Sequence, residues 1–152
     1  MSNQSAPHEE RANSQLCLIA EADPFISKLL QRFAEESGLR TMWAQVGEQV
    51  LQWSRRDQPT VIVLDPELPG ERRGWEVALA LRATPETAGI QLIICSWLKE
   101  AAARKLVGGR SAYLQKPDLH YEDFVAALKG AGISVAPAES LNRTPKRDAK
   151  SA

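Results

Sequence analysis

The sequence is short of the residues that declare a chemistry on their own. Its 152 residues include two cysteines, Cys17 and Cys95. Both sit in apolar, strand-like runs, which reads as buried, reduced thiols, and no Cys/His spacing suggests zinc. No apolar run approaches the length needed to cross a bilayer, so no membrane partner is expected. Met1 to Gln15 is polar and has no apolar signal region, so the expected location is the cytoplasm. Nineteen basic and nineteen acidic residues cancel, leaving no global electrostatic reason to expect a nucleic-acid partner. A Gly-rich phosphate loop is also missing, because Glu21-Ala22-Asp23-Pro24 stands where a nucleotide-binding fold would need one. That counts against a small nucleotide-binding enzyme. What remains is ordinary for one globular domain: 43% hydrophobic and 25% charged residues, with enough length to bury a core.

The chain is organised around Val61-Ile62-Val63-Leu64-Asp65-Pro66-Glu67-Leu68-Pro69-Gly70. A continuous aliphatic run fits a strand buried on both faces of a parallel sheet. It ends in a carboxylate, and two prolines and a glycine then forbid its continuation. Open α/β sheets place their chemistry at this C-terminal edge.

Four more strands are predicted, over Leu16–Ala20, Leu39–Ala44, Ile90–Cys95 and Ala112–Gln115. A helix starts at Asp23-Pro24, an N-cap followed by a good first helical residue. It carries Phe25, Ile26, Leu29, Leu30 and Phe33 as its apolar face and stops at Gly38. Further helices are predicted over Gly47–Arg56 (Val46, Val50, Leu51 and Trp53 inward), Trp75–Arg82, Leu98–Val107 and Tyr121–Lys129. Thr84-Pro85 ends the Trp75–Arg82 helix. Residues 1–14 read as a disordered N-terminal segment, 15–131 as the domain, and 132–152 as a flexible tail. Pro137 to Ala152 holds four basic and two acidic residues, a net of +2.

Five strands alternating with five helices predict a parallel sheet covered on both sides. The class is α/β, a flavodoxin-like (βα)5 three-layer sandwich with strand order 2-1-3-4-5. In that order Cys17 and Cys95 are separated by an intervening strand, roughly 9–10 Å, too far for a disulfide.

The C-terminal strand ends then bring together Glu21, Asp65, Ser96 and Lys116. Carboxylates suit a hard cation such as Mg²⁺, while a hydroxyl and an ammonium can hold phosphoryl oxygens. A carboxylate between metal and lysine can attack phosphorus to form an acyl phosphate.

Ile19-Ala20-Glu21-Ala22-Asp23-Pro24, Leu64-Asp65-Pro66-Glu67-Leu68-Pro69, Ile94-Cys95-Ser96 and Tyr113-Leu114-Gln115-Lys116-Pro117 resemble the receiver domain of two-component response regulators, over roughly Leu16 to Ala131. The resemblance implies that Asp65 accepts a phosphoryl group from a histidine kinase or phosphotransfer protein. Its other implied roles are Glu21 as a Mg²⁺ acid, Glu67 on the metal through its carbonyl, Ser96 on the phosphoryl group and Lys116 as the site cation. Pro117 is expected after a cis bond, and Tyr113 is the expected switch aromatic. A receiver of this kind hydrolyses its own phosphate slowly and is not read as an enzyme. Its output is a contact with a downstream protein or with a second copy of itself.

Two departures stand out. Ala22 occupies the place of the family's second acid and cannot ligate, so Mg²⁺ binding is expected to weaken; Glu67 has the reach to compensate. Trp97 follows the hydroxyl where the family has a small residue, and an indole there narrows access to Asp65. The stretch from Ser96 to Lys116 is short, so its helix is expected to be reduced. These departures leave a second reading open: a pseudo-receiver, acting as a phosphorylation-independent protein-interaction module.

Overall fold

A computed structural model describes residues 15–136. The strands are β1 (Leu16–Ala20), β2 (Arg40–Ala44), β3 (Val61–Leu64), β4 (Gln91–Ser96) and β5 (Ala112–Gln115). The helices are α1 (Pro24–Glu36), α2 (Gly47–Asp57), α3 (Gly74–Ala83), α4 (Glu100–Val107) and α5 (Tyr121–Gly130). All four strand pairings are parallel, in the order β2-β1-β3-β4-β5. Fold class and strand order agree with the sequence reading.

The sheet divides its side chains by parity, because successive residues of a strand point to opposite faces. Cys17, Ile19, Val61, Val63, Ile93 and Cys95 pack on one face with Ile26, Leu30 and Phe33 of α1 and Phe124 and Leu128 of α5. Leu18, Ile62, Leu64, Leu92 and Ile94 pack on the other with Val50, Val77, Leu81, Ala103 and Val107. Each large aliphatic side chain buried this way contributes about 1.5–3 kcal/mol. Both cysteines are free and buried, with β3 between their strands.

Local chemistry sets the element ends. Asp23 caps α1, its Oδ1 accepting from the N–H groups of Phe25 (2.8 Å) and Ile26 (3.3 Å), a contact worth about 1 kcal/mol. The face predicted for α1 holds except at Phe25, which is 81% exposed. One residue before Ile26 is about 100° round the helix, and that rotation turns Phe25 off the sheet. Helix α4 starts at Glu100, two residues later than the pattern predicts. The Leu98 N–H donates to Ser96 Oγ (2.9 Å) and the Leu98 carbonyl accepts from the Tyr113 hydroxyl, which holds that residue out of the helix.

Residues 132–136, assigned to the tail from sequence, lie against the body. Gly132 turns the chain with φ +80°, Ile133 is 5% exposed, and the Ala136 N–H donates to the Ser37 carbonyl (3.0 Å). The expectations for residues 1–14 and 137–152 fall outside the described residues. Among the described residues no helix is long and apolar enough to cross a membrane.

Candidate functional site

The parallel ladder carries the ends of β1, β3, β4 and β5 to one rim. There the Lys116 side chain, wholly buried, places Nζ 2.7 Å from Asp65 Oδ2 and 2.5 Å from Glu21 Oε1. The Asp65 contact is a hydrogen bond. The Glu21 contact is an ion pair to the same ammonium. Two carboxylates against one ammonium leave the trio one unit negative. Burial alone pulls the lysine pKa down; the bonds to Asp65 and then Glu21 outweigh it and hold the ammonium above the ordinary lysine range.

Each member is fixed from behind. Asp65 Oδ1 accepts from the Glu67 N–H (2.8 Å), and the Asp65 N–H donates to the Ala20 carbonyl (3.1 Å). Glu21 Oε2 accepts from the Asp23 N–H (3.0 Å). The Lys116 N–H donates to the Ser96 carbonyl (2.8 Å), which locks the ends of β4 and β5 together. The Lys116–Pro117 bond is cis. Gly74 is needed for contact: a Cβ there would stand 2.0 Å from the Asp65 carbonyl oxygen.

Of the predicted residues, Glu21, Asp65 and Lys116 meet directly. Ser96 is fully buried at the end of β4, its Oγ accepting from Leu98. Glu67 reaches Asp65 through its backbone N–H, and its side chain is exposed. Pro66 starts a tight turn that points that side chain to solvent. Ala22 is exposed beside Glu21. Among the described residues no three acidic, histidine or cysteine side chains form a metal-holding set. The oxygens of Glu21 and Asp65 suit a hard cation, although Lys116 Nζ already engages one oxygen of each.

The loop after β4 is anchored to β5. The Tyr113 hydroxyl donates to the Leu98 carbonyl, with Gln115 Oε1 3.1 Å away as the alternative acceptor, and Gln115 Nε2 donates to the Trp97 carbonyl (3.0 Å). Burial, then the neighbouring Cys95 and Glu100, raises the Tyr113 pKa. Trp97 is 54% exposed, with its ring centroid 5.9 Å from Lys116 Nζ. Two supporting residues escaped the sequence reading. One is Gln115. The other is Trp43, whose indole N–H donates to the Glu21 carbonyl (2.6 Å); its alternation on a weak strand signalled packing only.

Residues 17–129 match the family described as response regulator receiver domain. The chain is 31% identical over 114 residues to the polar-differentiation response regulator DivK of Brucella ovis, covering 74% of this chain and 91% of that one. A putative response regulator from Chloroflexus aurantiacus superposes with a TM-score of 0.71 at 22% identity, covering 78% of this chain and 97% of the other. The receiver domain of a sensor histidine kinase from Pseudomonas aeruginosa PAO1, with a magnesium ion coordinated in its active-site cleft, gives 0.67 at 21%, covering 78% and 98%. With a family match over most of its length and the acid–lysine rim in place, the chain belongs to the response regulator receiver domain family.

Proposed function

We propose that Asp65 accepts a phosphoryl group from a histidine kinase or phosphotransfer protein, and that the acyl phosphate changes which downstream protein, or second copy of the chain, this domain binds. The observation that carries the reading is the buried Lys116 ammonium on Asp65 Oδ2 at 2.7 Å. An ammonium in a dry site is set to stabilise charge on a transferring phosphoryl group. Mg²⁺, when bound, would offset further charge there, held by Asp65, Glu21 and the Glu67 carbonyl, and more weakly than in a three-acid site. The product remains on Asp65, so the chain is a phosphoacceptor and not an enzyme acting on another molecule. Its setting is the cytoplasm, where such donors present their phosphohistidines.

The exposed Ala22 favours the second reading, a pseudo-receiver that binds partners without phosphorylation. The test is acetyl phosphate with a Mg²⁺ titration, followed by intact mass. The receiver reading expects an added phosphoryl group that Asp65→Asn abolishes. No labelling at tens of millimolar Mg²⁺ favours the pseudo-receiver.

A further inference from the structure

Trp97 is unlike the other exposed apolar side chains of the described residues. Phe25 and Leu79 lie on helices, whereas Trp97 directly follows the buried site hydroxyl of Ser96 and lies over the lysine that holds the acceptor oxygen. Its backbone is fixed by Gln115 on its own carbonyl, by Ser96 Oγ on the next N–H and by Tyr113 on the next carbonyl. The ring is thus presented on a preorganised loop with one aromatic surface toward solvent. An indole in that position binds at little entropic cost, since two torsions alone need be fixed.

We propose that Trp97 selects the leaving group of the phosphoryl donor, taking an aromatic leaving group, the imidazole of a phosphohistidine, by stacking. The inference rests on the phosphoacceptor role of Asp65. In the transfer, an Asp65 carboxylate oxygen forms the new O–P bond while the P–N bond breaks. The electron pair stays on the imidazole nitrogen, which takes a proton from water. In an in-line displacement the leaving group stands on the side of phosphorus away from the attacking oxygen. In the proposed transfer that side faces solvent, where Trp97 is exposed with its ring centroid 5.9 Å from the Lys116 ammonium. A carboxylate leaving group such as acetate has no ring to stack and gains nothing there.

The test compares initial rates of Asp65 labelling by phosphoimidazole and by acetyl phosphate at fixed high Mg²⁺, in the full chain and in Trp97→Leu and Trp97→Phe. An aromatic contact is worth a rate factor of about five. The phosphoimidazole-to-acetyl-phosphate ratio is expected to fall by about that factor in Trp97→Leu and to stay within about twofold in Trp97→Phe. A ratio unchanged in Trp97→Leu, both donors accelerating together because the indole merely covers the site, would overturn the proposal. So would an equal loss in Trp97→Phe. No labelling of any variant by either donor would instead remove the phosphoacceptor reading itself, and the leaving-group role with it.

Discussion

Lys116 Nζ lies 2.7 Å from Asp65 Oδ2, with the lysine side chain wholly out of water. A buried ion pair of this kind is poor evidence for net stability, because desolvation opposes the attraction. Removing one partner is a different matter, since the other charge stays buried and unpaired. Lys116→Met leaves both Asp65 and Glu21 without their cation. It is expected to cost about 3–5 kcal/mol in urea unfolding at neutral pH, and Asp65→Asn in the same background is expected to recover part of the loss.

Alkaline pH should unfold the protein earlier than its surface charge suggests. Burial pushes the Cys17 and Cys95 thiols up to about 12, against about 8.5 in an unfolded chain. A group with a raised folded pKa contributes stability below its unfolded pKa and loses it as pH rises toward the folded one. The same sign holds for Lys116, whose contribution is complete below the ordinary lysine pKa and is lost as pH rises from there toward the raised folded value. Urea unfolding between pH 9 and 12 is expected to show a steep fall. Cys17→Ala should reduce that slope by about 1.4 kcal/mol per pH unit, whatever its effect on absolute stability.

Ala22→Asp places a carboxylate directly after Glu21 in the chain. One added negative charge near a divalent cation is expected to raise Mg²⁺ affinity about tenfold, a modest claim against roughly 4 kcal/mol for unit charges about 4 Å apart near a protein surface. A Mg²⁺ titration followed by NMR shifts around Asp65 checks it; equal affinity in both proteins would show that the second acid is dispensable here.

Gly74→Ala drives a methyl group to 2.0 Å from the Asp65 carbonyl oxygen, where backbone must move. Overpacking of this kind costs about 1–3 kcal/mol. The expected result is a lower urea midpoint together with slower labelling of Asp65, although Gly74 touches no phosphoryl oxygen.

Glu21 and Asp65 were legible from sequence because β1 and β3 are uninterrupted buried apolar runs, and a charged residue directly after such a run has one rim to occupy. The half-buried Ala112–Gln115 run is weaker; Lys116 was legible from the Lys-Pro stop after it, and the strand order from the fivefold alternation of strand and helix. Side-chain reach says nothing of direction at Glu67: the turn after Pro66 commits its N–H to Asp65 and leaves its side chain exposed. Phe25 failed for a similar reason, being apolar and close to the right helical phase but off the packed face. Trp43 and Gln115 act through hydrogen bonds to backbone carbonyls of other elements. Contacts of that kind leave no periodic trace in a chain.

The parity of the sheet places Cys17 and Cys95 together in the layer under α1 and α5, and leaves the opposite layer without a thiol. A maleimide or disulfide reagent therefore reads the lifting of one helical layer and is blind to the other. Modification kinetics, followed residue by residue, would time how α1 and α5 part from the strands while α2, α3 and α4 hold them.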